Sequence, residues 1–159
     1  MRSRVMNLTN FQLLTNTPIF EHLAEDDLGV VEERLISLEF EPGDLLFKEG
    51  AAGRYICFVV KGSLEVFKQT EGEDEVIIAE LSEGNSVGEM SIIDGLTCSA
   101  TVRAKTPATV MALTKDDFER IMQEFPSVGA QIFKGISTLL SMSLRRTSDD
   151  LAKLKAASR

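Results

Sequence analysis

The sequence predicts a mainly β domain flanked by helices, and three observations support this fold class. Between residues 36 and 113, short apolar runs alternate with turn residues, which is typical of a many-stranded antiparallel fold. Upstream of this segment, apolar residues recur at three- and four-residue spacing, which indicates amphipathic helices. Downstream of it, a capping hydroxyl and a heptad-like pattern predict two further helices, of which the second is long.

The composition limits the classes of protein to which the chain can belong. At 159 residues it predicts one domain, long enough to bury about two thirds of its unfolded surface. The 17 basic and 25 acidic residues leave a formal charge of -8, which argues against direct nucleic-acid binding. The sequence has no stretch of 18 apolar residues and no signal peptide in residues 1–10, so we expect a cytoplasmic protein without a membrane partner.

The few chemically reactive residues argue against catalysis and metal binding. Cys57 and Cys98 stand in unrelated contexts, and His22 is the single histidine, so the sequence has no metal-ligand or redox spacing. No nucleophile is paired with a base in a recognisable catalytic motif. We therefore expect a non-enzymatic protein in a reducing compartment, with neither metal nor cofactor.

The N-terminal part, residues 1–35, is assigned to helices. Thr9 or Asn10 is expected to cap a first short helix. A second helix begins near Ala24, where three consecutive acids suit the positive end of the helix dipole. Its apolar residues recur at helical spacing and are expected to face the core: Leu28, Val31 and Leu35.

Residues 36–113 read as strands separated by turns. The apolar run from Tyr55 to Val60 predicts a strand buried on both faces, and Gly62 ends it. The segment 63–67 then alternates between apolar and polar residues, and after an acidic hairpin tip the chain returns as a strand at 76–79.

Residues 114–159 are assigned to two C-terminal helices. Thr114 stands three residues before an acid, which resembles a capping box, so a helix is expected to begin there. Pro126 is expected to end this first helix. Ser127 is then expected to cap a long helix that runs to about Lys155.

The long helix carries a stripe of residues at alternating four- and three-residue spacing: Leu140, Leu144, Thr147, Leu151 and Leu154. Such spacing is typical of a coiled-coil seam. The alternative, packing on its own domain, suits the earlier apolar residues Ile132, Phe133 and Ile136. Because the helix is expected to extend beyond a small domain, we predict a homodimer formed through it.

The segment 87–103, with the sequence VGEMSIIDGLTCSATVR, resembles the phosphate-binding cassette of a cyclic nucleotide-binding domain. The resemblance covers nearly the whole chain in family order: Pro18-Ile19-Phe20 with Leu23, residues 40–44, Lys48-Glu49-Gly50 with Gly53, residues 55–62, residues 100–104, Asp117-Phe118 and Pro126. It implies a single domain over residues 1–159, built as an eight-stranded β-roll, a jelly-roll-like double-stranded β-helix, between N-terminal helices and a long C-terminal helix.

The resemblance also implies a ligand, cAMP or cGMP, and a set of binding residues. Glu89 would accept a hydrogen bond from the ribose 2′-hydroxyl, and Gly88 would let the backbone approach the phosphate. Met90 and Ser91 would contribute backbone N–H donors, and Ser99 a hydroxyl. The alternative for Glu89 is a solvated or helix-capping acid.

Cys98 departs from the family pattern, which places an arginine at this position to meet the phosphate. A thiol is a weak donor without charge, so the lost contact costs roughly 1.5 to 3 kcal/mol, or about ten- to a hundredfold in affinity. Taken alone, Cys98 is best interpreted as a polar loop residue. Arg103 is a candidate substitute cation, although an outward-facing charge is its ordinary role, and Arg145 or Arg146 is a candidate contact for the base.

Two functions follow from this pattern. In the first, the domain senses a cyclic nucleotide and regulates through its C-terminal helix or a partner protein. In the second, ligand binding has been lost and the fold serves dimerisation or protein interaction. We expect no output domain after the long helix, so both hypotheses require a partner or a second copy.

Overall fold

The computed structural model describes residues 8–159, and residues 1–7 of the predicted N-terminal segment lie outside this range. The described part contains eight strands and five α-helices. The strands are β1 (Ile36–Phe40), β2 (Leu45–Phe47), β3 (Tyr55–Lys61), β4 (Leu64–Gln69), β5 (Glu75–Leu81), β6 (Ser86–Val87), β7 (Thr101–Ala104) and β8 (Ala108–Thr114). The helices are α1 (Leu8–Asn16), α2 (Glu25–Glu32), α3 (Glu89–Asp94), α4 (Lys115–Glu124) and α5 (Pro126–Ala157), with a short 3-10 helix at Pro18–Phe20.

The strands form two four-stranded sheets that together make the roll. The first sheet has the order β1-β8-β3-β6 and the second β2-β7-β4-β5. Every strand pairing in the two sheets is antiparallel. The predicted fold class, a mainly β roll with N-terminal helices and a long C-terminal helix, is confirmed.

Strand β3 explains why the roll has two separate apolar cores. Successive side chains of a strand point to opposite faces, and four consecutive residues of β3 are buried. Ile56 and Phe58 belong to the core between the first sheet and the helices. Cys57 and Val59 belong to the core between the two sheets. The prediction of a strand buried on both faces is therefore confirmed.

Three details of the helix ends differ from or extend the sequence predictions. Thr9 and Asn10 lie inside α1, so neither caps it. Ser127 is not a cap either: Phe125 is the N-cap residue, and Pro126 occupies the first helical position. Proline has no N–H to satisfy and its φ is already helical, so it takes the first position ahead of the hydroxyl. The Thr114 cap is confirmed, since its hydroxyl accepts a hydrogen bond from the Asp117 N–H at 3.1 Å.

Leu35, which was predicted to continue the α2 stripe, lies beyond the end of that helix and is half-buried against the helical core. Leu28 and Val31 are buried as predicted. The acidic residues in the first and last turns of α2 are exposed or half-buried. With its leucine and valine buried and its acids toward solvent, α2 is amphipathic.

Helix α5 begins as part of the domain and ends away from it. Its first third is packed, and a Cβ added to Gly135 would collide with the Ile19 carbonyl, so the helix lies directly on the 3-10 helix. Leu140 still packs against the domain core. From Ser141 onward every residue is exposed. The helix has 32 residues, or about 48 Å of length, and roughly half of it extends with its side chains exposed when residues 8–159 are considered.

No helix in the described part of the chain is long and apolar enough to cross a membrane.

Gly135→Ala is expected to lower the free energy of unfolding by about 1 to 3 kcal/mol, because its methyl group must displace the 3-10 helix. Gly29→Ala is the matched control. That glycine also lies in a helix, but an added Cβ meets nothing within 4 Å, so this variant should gain about 0.5 to 1 kcal/mol from helix propensity. Urea denaturation measures both changes. Equal effects of the two substitutions would contradict the close packing of α5 on the 3-10 helix.

Candidate ligand-binding site

Glycine positions hold the short helix α3 tightly against the roll. Gly88 is its N-cap residue, with φ at 96°, a left-handed conformation that glycine adopts without steric cost. An added Cβ would lie 2.5 Å from the Tyr55 carbonyl oxygen and 2.9 Å from Cζ of Phe47. A Cβ at Gly53 would collide with the Ser91 side chain. The backbone of α3 therefore lies closer to β2 and β3 than any larger residue would permit.

A cavity of about 150 Å³, partly open to solvent, lies between α3 and the second sheet. It is lined by Phe47, Val66, Val87, Gly88, Glu89, Met90, Ser91, Cys98, Ser99, Ala100 and Val102. The structure thus brings all six predicted site residues to one cavity: Gly88, Glu89, Met90, Ser91, Cys98 and Ser99.

The sequence analysis missed the apolar walls of this cavity. Phe47, Val66, Val87 and Val102 are strand residues with no chemical signature of their own. The sequence signal for one of them is Gly88. A glycine there lets another side chain pack directly against the backbone, and in the structure that side chain is Phe47.

Glu89 is the single acidic side chain lining the cavity. Its Oε2 is buried and has no hydrogen-bond partner among residues 8–159. Burial raises the pKa of the Glu89 carboxyl, and a hydrogen bond from its own backbone N–H opposes the rise only in part. At least one oxygen of this carboxyl is therefore shielded from water, which argues against a fully solvated acid.

Cys57 is buried in the apolar core between the sheets and is not among the residues that line the cavity. Burial, with a smaller contribution from the charge of Glu89, raises the pKa of the Cys57 thiol to about 12. The thiol is thus uncharged at neutral pH and packs as an apolar group in the core.

Cys98 is a buried residue, not the polar loop residue that the sequence suggested. Only 8% of it is exposed, and it packs into the apolar core between the sheets. Its backbone is held on both sides, since its N–H donates to the Ala51 carbonyl at 2.8 Å and its carbonyl accepts from the Gly50 N–H at 2.9 Å. These contacts fix the loop after α3 so that the Cys98 side chain faces inward.

Arg103 does not replace the missing cation of the cassette. Its Nε donates to Glu65 at 3.0 Å and its NH1 nitrogen donates to Glu75 at 2.8 Å, while the guanidinium lies 4.3 Å from the centre of the Phe67 ring. It does not line the cavity. The candidate substitution of Arg103 for the family arginine is therefore wrong, because two carboxylates on neighbouring strands already bind it.

The polar residues of α5 do not reach the cavity either. Arg145 and Arg146 are exposed, and none of the residues lining the cavity belongs to α5. No Lys, Arg or His is among the lining residues. Across residues 8–159, no cluster of three His, Cys, Asp or Glu side chains could hold a metal ion.

Glu89→Gln is expected to stabilise the unliganded domain at about pH 7. Because the folded pKa of Glu89 is raised above the reference value of 4.5, the folded state binds more protons than the unfolded state above that value, and stability falls as pH rises. The amide removes this penalty. Urea denaturation from about pH 7 down to about pH 4 should show the advantage of the variant shrink toward zero. A constant difference across this range would contradict the raised pKa.

Comparison with known proteins identifies the family of this site. The model of the cyclic nucleotide-binding domain matches residues 37–125, more than half of the chain. The cAMP-dependent protein kinase regulatory subunit of Dictyostelium discoideum is 29% identical over 113 residues, covering 71% of this chain and 35% of that protein. The human potassium/sodium hyperpolarization-activated cyclic nucleotide-gated channel 3 is 29% identical over 126 residues, covering 79% of this chain and 16% of the channel.

Solved structures share the fold. A cyclic nucleotide-binding domain from Methylobacillus flagellatus superposes with a TM-score of 0.80 at 22% identity, covering 89% of this chain and 80% of that one. The regulatory subunit of a cAMP-independent protein kinase A from Trypanosoma brucei, as a triple mutant bound to cAMP, gives 0.72 at 27% identity, covering 85% and 46%. The chain spans about a third or less of the two curated relatives above. With its cassette residues around one cavity and the family model matched across the roll, the chain belongs to the cyclic nucleotide-binding domain family.

Proposed function

We propose that this chain is a non-catalytic regulatory domain that senses a cyclic nucleotide, cAMP or cGMP, in the cavity beside α3. The observation that carries the proposal is the buried Oε2 of Glu89, which has no hydrogen-bond partner in the part of the chain that the structure describes. A buried acceptor without a hydrogen bond costs free energy that a donor can recover. A ribose hydroxyl is such a donor, and the family resemblance assigns that role to Glu89.

The curated relatives support a regulatory role. One is a regulatory subunit of a cAMP-dependent kinase and another is a cyclic nucleotide-gated channel. The two free cysteines, both buried, suit the reducing conditions of the cytoplasm. Occupancy of the cavity would be reported through α5 or through a partner protein.

Cyclic-nucleotide affinity is expected to be weak, because none of the described residues that line the cavity is a cation for the phosphate. The trypanosome relative supports the expectation of weak affinity for a cyclic nucleotide. It belongs to a kinase described as cAMP-independent, and the form bound to cAMP carries three substitutions, one of which introduces an arginine.

Calorimetric titration with cAMP and cGMP tests the proposal. We expect binding that is measurable at millimolar ligand and a matching rise in melting temperature, since a ligand bound only to the folded state stabilises it. Glu89→Ala should weaken that binding at least about tenfold. Glu83→Ala is the matched control, because Glu83 is an exposed acid outside the cavity. No heat and no thermal shift with either nucleotide would overturn the proposal.

A second role, dimerisation through α5, is favoured by the exposed stripe on the free half of that helix. Leu144, Leu151 and Leu154 are 69%, 52% and 68% exposed, which is unusual for large apolar side chains at coiled-coil spacing. We propose a homodimer in which this stripe meets its copy. The same surface would serve a protein-interaction module if the cavity binds nothing.

A further inference from the structure

The charge of the cavity is opposite to what a phosphate needs. Among its lining residues Glu89 is the single ionisable acid, and no basic side chain is present. The basic side chains of β4 and β7, and Lys105 just after β7, are paired with acids. Arg103 binds Glu65 and Glu75, and Lys105 donates to Glu80 at 3.0 Å.

An anion that enters this cavity meets a cost that a neutral ligand avoids. A cyclic phosphate would bring a negative charge near a partly buried carboxylate without a neutralising cation, and like charges repel strongly where water is scarce. The ligand must bind against that repulsion or Glu89 must take up a proton. The net charge of -8 adds a repulsive field at longer range.

Glu89 nevertheless offers an acceptor that a sugar can use. Its buried carboxylate oxygen can accept a hydrogen bond from a hydroxyl group of the ligand. A ribonucleoside offers two neighbouring hydroxyls, whereas a 3′,5′-cyclic nucleotide offers one, because its 3′ oxygen is esterified. Apolar side chains from β2, β4 and β7 form the rest of the wall: Phe47, Val66 and Val102. Such a surface suits the uncharged part of the same molecule.

We propose that this cavity binds an uncharged ribonucleoside in preference to a cyclic nucleotide. The inference rests on the proposed function in one respect, that a ribose hydroxyl binds Glu89. It changes the ligand class from an anion to a neutral molecule. Cys98 is the specificity-determining position, since a buried thiol replaces the cation that an anion would require.

Calorimetry with six ligands tests the inference. The probes are adenosine, guanosine, cytidine, uridine, cAMP and the 2′-deoxy form of the ribonucleoside that binds best. We expect at least one ribonucleoside to bind the wild-type chain at least about tenfold more tightly than cAMP at neutral pH. The 2′-deoxy form should lose at least about tenfold relative to its parent. Cys98→Arg should reverse the order of cAMP and the nucleoside.

The outcomes separate this inference from the proposed function. If cAMP binds the wild-type chain as tightly as every nucleoside, the preference for a neutral ligand is overturned while the sensor proposal stands. Equal affinity for the ribo and 2′-deoxy forms overturns it as well, because the Glu89 contact is then unused. If neither cAMP nor any nucleoside binds the wild type or Cys98→Arg, both proposals fail. Melting temperatures of the variants establish that each is folded.

Discussion

Cys98→Arg is expected to raise the affinity of the domain for cAMP by roughly ten- to a hundredfold, because it adds a charge-assisted contact to the phosphate. The Cys98 side chain faces the cavity that contains Glu89. A guanidinium at this position supplies planar paired donors and a positive charge to a phosphate, neither of which the thiol offers. It also neutralises the acidic character of the site, since it would lie in the same cavity as the buried carboxyl of Glu89.

The substitution introduces bulk as well as charge, so its control must separate the two. Cys98 is only 8% exposed, and a longer side chain has to extend into the cavity. Cys98→Met lengthens the side chain without adding charge and should leave cAMP affinity unchanged or lower. Titration calorimetry on both variants gives the comparison, with melting curves to show that each is folded. A gain in affinity with methionine, or none with arginine, would contradict an electrostatic role for this position.

The sequence predicted the parts of this molecule that depend on local pattern or on a contiguous motif. The double-sided apolar run of β3 and the Thr114 cap are read from neighbouring residues, and both are present. The cassette residues from Gly88 to Ser99 lie within twelve positions of one another, and a glycine that permits close approach brings them to one cavity.

What the sequence did not predict depends on contacts between distant segments. Arg103 is bound by acids 38 and 28 residues away, and only the order β7-β4-β5 in the second sheet brings the three together. The burial of Cys98 has the same origin, because its loop is fixed by backbone hydrogen bonds to residues 50 and 51. At Ser127 two local preferences competed, and the proline before it determined where α5 begins.

Leu144→Lys is expected to dissociate the proposed homodimer, raising its Kd by roughly a hundredfold or more. Burying one leucine stabilises an interface by about 1.5 to 3 kcal/mol, and two-fold symmetry places the same residue in the interface twice, so the loss is about 3 to 6 kcal/mol. Leu144 is 69% exposed in the single chain, and its removal should therefore leave the fold of the domain intact. Sedimentation equilibrium of the wild type and the variant measures the change.

Met142→Lys is the matched control, because it introduces the same positive charge in place of an exposed apolar side chain on the same half of α5. Met142 is 58% exposed, and at two residues from Leu144 it lies on nearly the opposite side of the helix, since successive residues are about 100° apart. Its substitution should leave the dimer in place if the stripe that contains Leu144, Leu151 and Leu154 forms the seam. A wild-type chain that sediments as a monomer, or equal dissociation by both lysines, would contradict a seam on this face. Dissociation by Leu144→Lys with cAMP affinity unchanged would in addition show that the cavity binds its ligand within one protomer, as expected from its lining, which includes no residue of α5.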